Sequence, residues 1–325
     1  MEPSSALRIV ATVSIIATVY APAWAATWPA KPIRVVVPDA PGTTVDIVPR
    51  VVFEQLSAQI GQNVIVDNRP GAGTTIGSAL VANAAADGYT LLVNSSAHTI
   101  APALYRNLPY HPARDLTGVA PLGVSACVLV VSPSKAFKTV ADLVNAAKAK
   151  PAALNFSSVG LGTATHIAAE RFRHSAAIDA VHLPFKDGGE AMSEVISGRV
   201  EFFFGPVALV LPHVKSGRLA ALAVNTSQRA LALPDVPTTH EAGLRNAEYP
   251  FWFGVFAPAK TPRAVLDRLS SEIASALEIP KVRQRLASLG VDPMKMSSSD
   301  FDAFIRKSID ADAALVQAIG LKLDS

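Results

Sequence analysis

The feature that most constrains this chain is a regular alternation of short apolar strands with helical stretches. A β-branched run at residues 33–37 precedes a helical pattern that places Val48, Val52 and Leu56 on one face. Similar pairs of strand and helix follow along most of the chain up to residue 224. Such alternation predicts βαβ units and largely parallel sheets. We therefore expect an α/β protein with two parallel or mixed sheets flanked by helices, with a helical tail from residue 263 onward.

Two apolar, extended stretches predict where the chain divides. Residues 119–131 and 250–257 lack a helical pattern, and the segment between them contains a strand–helix series of its own. A chain that leaves one α/β unit, builds a second and returns has two lobes joined by two crossing strands. We expect one lobe from residues 26–124 with 251–325, and a second from residues 125–250. The cleft between them would expose the carboxyl ends of the strands, where α/β sheets bind ligands.

The N-terminus predicts export. Residues 9–21 are largely apolar, and Ala23-Trp24-Ala25 supplies a small-x-small cleavage pattern. This combination is typical of a secretory signal peptide over residues 1–25, cut after Ala25. An uncleaved anchor is the alternative, but the apolar stretch is shorter than the ~20 residues that span a bilayer. We expect a soluble periplasmic protein.

Composition argues against several classes of partner and site. The chain has 29 Lys and Arg against 26 Asp and Glu, a formal charge of +3, and no long basic run. This pattern disfavours nucleic acid and anionic membranes as partners. The single cysteine, Cys127, excludes an internal disulfide and a cysteine-based zinc site. No nucleophile elbow, zinc-protease motif or P-loop is present, so we expect no catalytic residue, metal or cofactor. We also expect the protein to be a monomer.

One glycine-rich loop leaves an alternative open. The segment Gly71-Ala72-Gly73-Thr74-Thr75-Ile76-Gly77 is one residue longer than the dinucleotide fingerprint, and no acidic residue ends the next strand. Two interpretations fit these glycines. They form either a tight loop that lets the helix pack closely on the strand, or the nucleotide-binding loop of an NAD(P)-dependent dehydrogenase. A second alternative is an exported α/β enzyme that acts on a small carboxylate in the same cleft.

Polar loops between strands and helix starts are the candidate ligand contacts. Their N–H groups and hydroxyls suit a carboxylate, although each loop also fits simple helix capping. Asp46 would cap a helix, bind an ammonium group or orient a water. Lys186 fits a ligand contact or a solvated charge, and His166 fits a ligand contact or helix packing. The loops are Gly42-Thr43-Thr44, Ser95-Ser96, Ser157-Ser158-Val159-Gly160-Leu161-Gly162-Thr163 and Lys186-Asp187-Gly188-Gly189. Four such loops, two on each side of the cleft, predict a site for a small carboxylate.

Several segments spread over nearly the whole chain carry a resemblance to a known family. They are Trp28-Pro29-Ala30-Lys31-Pro32-Ile33-Arg34-Val35-Val36-Val37-Pro38, Val66-Asp67-Asn68-Arg69-Pro70-Gly71-Ala72-Gly73, Ala86-Asp87-Gly88-Tyr89-Thr90-Leu91-Leu92, Pro184-Phe185-Lys186-Asp187-Gly188-Gly189 and Phe256-Ala257-Pro258-Ala259-Lys260-Thr261-Pro262. The chain resembles the Bug receptors, the extracytoplasmic solute-binding proteins of tripartite tricarboxylate transporters. That resemblance implies a two-lobed, type II-like periplasmic binding fold that closes on a small organic acid without catalysis. It also implies a membrane permease of that transporter class, or a sensor protein, as partner.

The resemblance also implies which residues line the cleft. They are Gly42, Thr43, Thr44, Asp46, Ser95, Ser96, Ser158, Gly160, Thr163, His166, Phe185, Lys186 and Gly188. The chain departs from the family pattern at Asp39, in place of an aromatic residue, and at Phe185, in place of a tyrosine. Gly42-Thr43 replaces a glycine pair, Pro49 interrupts the first helix, and Gly205 stands where an acid is common. These departures imply a ligand less highly charged than a dicarboxylate.

Overall fold

The computed structural model describes residues 28–321, so the predicted signal peptide lies outside the described residues. The strands are β1 (Ile33–Val37), β2 (Val64–Asn68), β3 (Thr90–Ser95), β4 (Leu116–Ser125), β5 (Cys127–Val131), β6 (Leu154–Ser158), β7 (Ala180–Pro184), β8 (Phe202–Pro206), β9 (Ala220–Val224), β10 (Phe251–Pro258) and β11 (Val291–Asp292). The helices are α1 (Thr44–Ile60), α2 (Thr75–Ala82), α3 (Ala97–Leu104), α4 (Val140–Ala149), α5 (Ala164–Ala176), α6 (Gly188–Ile196), α7 (Val207–Lys215), α8 (Arg263–Glu278), α9 (Pro280–Ser288) and α10 (Ser298–Ile319).

The strands form two separate sheets. One has the order β11-β4-β10-β3-β1-β2, and the other has the order β7-β6-β8-β5-β9. In the first sheet β1 runs parallel to β2 and β3, and in the second β6 runs parallel to β7 and β8. The predicted strand–helix units therefore lie in the parallel part of each sheet.

Both sheets are mixed, in agreement with the expected fold of two parallel or mixed sheets, and they contain more antiparallel pairing than the strand–helix alternation alone predicts. In the first sheet β10 pairs antiparallel with β3 and β4, and in the second β5 pairs antiparallel with β8 and β9. The physical reason is connectivity. Strands β5 and β10 enter their sheets directly from the other sheet, with no crossover helix to reverse their direction.

Two stretches differ in detail from the sequence-based expectations. The apolar run 119–131 is divided at Ala126, so that β4 and β5 belong to different sheets. Residues 94–98, expected to be a polar loop, are instead the end of β3 and the beginning of α3. Their polar side chains are nevertheless buried, because Asn94, Ser95 and His98 are enclosed between the elements around them. The tail is helical as expected, apart from the two-residue strand β11.

The two segments that connect the sheets are joined by one buried side chain. Asn225 follows β9 and is fully buried. Its Oδ1 accepts the N–H of Cys127 at 2.8 Å, and its Nδ2 donates to the carbonyl of Tyr249 at 2.6 Å. The backbone of Asn225 pairs with the same two residues at 3.0 Å each. The chain therefore crosses between the sheets twice at one hydrogen-bonded point.

Candidate ligand-binding site

A cavity of about 560 Å³ lies between the two sheets, at the carboxyl ends of β1, β3, β6, β7 and β8. The loops after these strands and the first turns of the helices that follow supply most of its walls. The lining residues are Asp39, Ala40, Gly42, Thr43, Thr44, Val45, Gly73, Thr74, Ser95, Ala97, Ile100, Ala101, Leu104, Tyr105, Val159, Leu161, Gly162, Thr163, Ala164, Thr165, Lys186, Asp187, Gly188, Gly189, Pro206, Leu209 and Phe251.

The loops before α1 and α5 have the same local structure on opposite walls. Thr43 and Thr163 are the N-cap residues, yet neither side chain accepts a backbone N–H of its helix. Their hydroxyls instead donate to the carbonyl three residues earlier, Ala40 at 3.0 Å and Gly160 at 2.8 Å. The first-turn N–H groups of both helices therefore lack a capping side chain, and the cavity lies beside them.

A side chain four residues later fixes the glycine in each of these loops. Gly42 donates its N–H to Asp46 Oδ2 at 2.9 Å, and Gly162 donates its N–H to His166 Nδ1 at 3.1 Å. Both glycines have positive φ, 85° and 74°, which other residues adopt only with strain. Asp46 and His166 are thus buried side chains that support the loops and lie outside the cavity lining.

Asp46 is held as a carboxylate by its partners. Burial by itself would raise its pKa, but hydrogen bonds from Arg50, the Gly42 N–H and Asn68 outweigh it and lower the pKa. The Arg50 Nε and Asn68 Nδ2 donors lie 2.9 and 3.0 Å from Oδ1. Both carboxylate oxygens of Asp46 thus accept hydrogen bonds from protein donors, and its contact with an ammonium group or a water stays a prediction.

His166 belongs to a stack of rings behind the second lobe's loop. Its ring lies 4.0 Å from that of His182 and 6.3 Å from that of Phe156, centroid to centroid. Burial lowers the pKa of His166 to about 3 and that of His182 to about 4, and charge repulsion from His182 adds to the effect at His166. The two imidazoles are therefore neutral at neutral pH.

Ser158 is fully buried beneath the same loop. Its Oγ lies 2.6 Å from His182 Nε2 and accepts the N–H of Gly160 at 3.1 Å. In the first lobe, Ser95 Oγ accepts the N–H of Ala97 at 3.3 Å, and Ser96 Oγ is buried without a partner among the described residues.

Charged side chains at the cavity are few. Lys186 is the one basic residue among the described residues that line it, and Asp39 and Asp187 are the acidic ones. Asp187 caps α6, since its Oδ1 accepts the N–H of Glu190 at 2.9 Å. Asp39 Oδ1 accepts the N–H of Ala40 at 2.7 Å. Burial raises the pKa of Asp39, the Ala40 bond opposes this, and nearby Asp46 adds to the rise.

The structure places the predicted site residues in two groups. Those that line the cavity are Gly42, Thr43, Thr44, Ser95, Thr163, Lys186 and Gly188. Those outside the lining are Asp46, Ser96, Ser158, Gly160, His166 and Phe185. Phe185 is half-buried and packs on the apolar core of the second sheet. For every residue of both groups, contact with a ligand stays a prediction.

Sequence reasoning missed the apolar wall of the cavity. Ile100, Leu104 and Tyr105 come from α3 and its end, and Phe251 begins β10. Local periodicity marks such residues only as core. Leu161 could have been recognised from the sequence, because a leucine between two glycines in a polar loop is unusual. In the structure its side chain is 53% exposed.

The glycines of the 71–77 loop serve close packing. A Cβ on Gly77 would lie 2.8 Å from Pro38 Cβ, and one on Gly73 would collide with the hydroxyl of Tyr105. These contacts give each glycine a structural reason that requires no nucleotide. Within residues 28–321, no group of three His, Cys, Asp or Glu side chains is arranged to hold a metal ion.

Comparison with known proteins identifies a family. The family model of the tripartite tricarboxylate transporter family receptor matches residues 48–321. A protein in the tcbD-tcbE intergenic region of Pseudomonas sp. (strain P51) is 39% identical over 265 residues, which cover 81% of this chain and 79% of the relative. BugT of Bordetella pertussis is 36% identical and is matched over 97% of this chain and 98% of its own length.

Solved structures share the fold. An R. palustris protein with adipate superposes with a TM-score of 0.81 at 28% identity, over 91% of this chain and 100% of the other. MatC from Rhodopseudomonas palustris with bound malate has a TM-score of 0.78 at 28% identity, over 89% of this chain and 100% of the other. The likeness confirms the predicted fold of two mixed sheets flanked by helices.

Proposed function

Because this chain belongs to the tripartite tricarboxylate transporter receptor family, we propose that it is an extracytoplasmic solute-binding receptor for a small carboxylate. The ligand binds in the cavity between the two sheets. Related structures of the same fold hold adipate and malate, both organic acids with carboxylate groups. These relatives support the chemical class of the ligand, and the present cavity supports the place.

The single observation that carries the proposal is the arrangement of helix starts around the cavity. The first turns of α1 and α3 face it from one sheet, and those of α5 and α6 face it from the other. Helix N-termini present free N–H groups and a positive dipole end, which favour a carboxylate. A ligand bound there contacts both lobes, so binding favours closure about the crossing point at Asn225.

The proposed lobes follow the two sheets. Residues 26–124 with 251–325 form the first lobe, and residues 125–250 form the second. The receptor would release its ligand to a membrane permease of the tripartite class or present it to a sensor protein, in the periplasm after removal of residues 1–25. No helix within residues 28–321 is long and apolar enough to cross a bilayer.

The burial of Ser158 supports binding without catalysis. Ser158 and His182 are close enough for a nucleophile and its base, at 2.6 Å. Ser158 is fully buried and lies outside the cavity lining, so a bound ligand does not reach its Oγ. Incubation of the pure protein with each ligand that binds, followed by product analysis, tests this part: turnover would favour the alternative of an exported enzyme.

The main experiment is a ligand screen on the mature protein. We expect at least one organic acid to raise the melting temperature and to give binding heat by calorimetry, since a ligand of the native state stabilises it by mass action. A variant that fills the cavity, Ala40→Trp, should abolish both effects. Ala141→Trp, on the exposed surface of α4, is the matched control and should bind normally. A broad carboxylate panel without any shift or heat would contradict the proposal.

A further inference from the structure

The cavity has an apolar wall as well as polar loops. Six of its lining side chains are large and apolar or aromatic, namely Ile100, Leu104, Tyr105, Leu161, Leu209 and Phe251. They come from both sheets, so a bound molecule would be enclosed by apolar groups from two directions. A volume of about 560 Å³ leaves space for more than a carboxylate group and a few carbons. The wall therefore favours a ligand with an apolar body.

The charges of the cavity favour one carboxylate. Lys186 is the single basic side chain among the described lining residues, against Asp39 and Asp187. Its ammonium takes part in none of the ion pairs found within residues 28–321. Lys186 is thus available to a ligand. A second or third carboxylate would meet no further cation in the lining.

Asp39 opposes a second carboxylate directly. It follows β1, lines the cavity and is half-buried beside the buried Asp46. A carboxylate placed against it would face a like charge or would force Asp39 to take up a proton. Either outcome costs free energy at neutral pH, because the ligand carboxylate and Asp39 are partly desolvated and their repulsion is poorly screened.

We infer that the receptor selects a monocarboxylate with an apolar body, and that Asp39 is the residue that excludes dicarboxylates. The inference rests on the proposed function and narrows its ligand class. The ligand's carboxylate lies at the helix starts near Thr43, Thr163 and Lys186. Its body lies along the apolar wall formed by α3, Leu161, Leu209 and Phe251.

Matched acids that share a carbon skeleton test this selection. Binding is measured by calorimetry for butyrate and succinate, hexanoate and adipate, octanoate and suberate, and 4-methylbenzoate and terephthalate. In the pair that binds best, we expect the monocarboxylate to bind at least about tenfold more tightly than the diacid. Affinity should also rise about fourfold for each methylene added from butyrate to hexanoate, as apolar surface is buried.

Two variants locate the selectivity. Asp39→Asn should shift the ratio of the diacid affinity to the monocarboxylate affinity about tenfold toward the diacid. Its control is Asp310→Asn, on the exposed face of α10, which should change neither affinity. Lys186→Met should weaken the monocarboxylate by about tenfold, while Lys215→Met at the exposed end of α7 should not.

The outcomes separate the inference from the proposed function. A diacid that binds as tightly as its monocarboxylate partner, or more tightly, overturns the inference but leaves a carboxylate receptor. Unchanged selectivity in Asp39→Asn overturns the role of Asp39. If none of these acids and no member of the broad carboxylate panel binds, the proposed function fails and the inference fails with it.

Discussion

The side-chain amide of Asn225 donates to the carbonyl oxygen of Tyr249 at 2.6 Å, in a fully buried position between the two sheets. Tyr249 precedes β10, where the chain returns to the first sheet. The carboxamide oxygen of Asn225 holds Cys127, where the chain first arrives in the second sheet. One side chain thus ties the outgoing and the returning segment together.

Loss of this side chain should destabilise the protein. Asn225→Ala leaves the N–H of Cys127 and the carbonyl of Tyr249 buried without these partners, and we expect a loss of about 2–4 kcal/mol in the free energy of unfolding. Urea denaturation measures it. Asn145→Ala on the exposed face of α4 is the control and should change stability by less than about 0.5 kcal/mol. Equal stability of the two variants would show that the crossing does not depend on Asn225.

The paired threonines should contribute to binding more than to stability. Thr43→Val and Thr163→Val keep the side-chain shape but remove a hydroxyl that lines the cavity. Each hydroxyl already donates its hydrogen to a loop carbonyl, that of Ala40 or Gly160, so its removal loosens the loop that presents N–H groups to the ligand. We expect each variant to weaken binding of the best organic acid about three- to tenfold, with about 1 kcal/mol or less lost in stability. Calorimetry and urea denaturation measure the two effects.

Thr226 provides the matched control for these variants. Its hydroxyl also donates to a nearby carbonyl, that of Gln228 at 2.7 Å, but it lies outside the cavity lining. Thr226→Val should therefore leave affinity unchanged. If all three variants bind alike, the hydroxyls of Thr43 and Thr163 do not hold the loops in the shape that binds the ligand.

A methyl group at Gly188 should alter the cavity wall. A Cβ at this position would lie 2.6 Å from Cδ2 of Leu209 and 3.7 Å from Cγ1 of Val159, and all three residues line the cavity. Gly188→Ala must displace the end of the flexible Leu209 side chain, and we expect about threefold weaker binding with less than about 1 kcal/mol lost in stability.

The neighbouring glycine makes the comparison specific. At Gly189 the nearest atom to a new Cβ is Asp187 Oδ1 at 3.2 Å, and no apolar side chain of the cavity is close. Gly189→Ala should keep most of the affinity, and helix propensity favours it by up to about 1 kcal/mol. If the Gly188→Ala variant is as stable and binds as tightly as the Gly189→Ala variant, the predicted collision with Leu209 is refuted.

Stability should fall on mild acidification because of the stacked histidines. Burial, followed by repulsion from His182 and Arg173, lowers the pKa of His166 to about 3, and burial lowers that of His182 to about 4. In the unfolded chain each takes up a proton near pH ~6.5. The unfolded state therefore binds more protons below this pH, and stability is lost as the pH falls through about 6.5 toward the folded values.

The slope of stability against pH measures the effect. Each histidine contributes at most about 1.4 kcal/mol per pH unit between about pH 6.5 and pH 5, where most carboxylates stay ionised. Buried His98, whose pKa burial lowers to about 3, adds a background slope of the same sign, and Asp312, whose pKa burial raises to about 6, adds one of opposite sign. His166→Gln should flatten the slope, since its amide oxygen can accept the Gly162 N–H without titrating. Exposed His240→Gln should leave the slope unchanged.

Cys127 should be chemically silent in the folded protein. The thiol is fully buried at the beginning of β5, and burial raises its pKa to about 12, so the reactive thiolate is scarce. We expect iodoacetamide at about pH 8 to label the native protein at least about a hundredfold more slowly than the protein in urea. Cys127→Ser should show no labelling in either state. Equal rates for native and unfolded wild type would mean that the strand opens readily.

The organisation of the fold was predictable from local patterns. Runs such as Ile33–Val37 followed by a 3.6-residue periodicity identify each strand–helix unit. The positions of the polar loops, at the carboxyl ends of the strands, follow directly from this order of strands and helices. The mixed direction of the sheets was not predictable in this way, because the antiparallel β5 and the parallel β1 are both short runs dominated by valine and other apolar residues.

Within the candidate site, packing alone decides which residues of one loop line the cavity and which lie outside it. Ser95 lines the cavity while Ser96 is buried behind it, and Thr163 faces it while His166 supports the loop from below. A residue list taken from loops treats these pairs alike. The direction of each side chain depends on φ and ψ at the helix start and on the groups packed underneath.

The sequence by itself determined the strand–helix units, the loops that end at helix starts and the family, because these depend on local periodicity, turn chemistry and short motifs. Only the tertiary structure decided which side chains meet in the cavity. It brought Phe251 from the returning strand beside Leu104 and Leu161, and placed Asp39 opposite a second lobe that holds Lys186. The physical reason is that the apolar wall and the charge balance of the cavity arise from segments far apart in the chain, which only the packing of two lobes brings within contact.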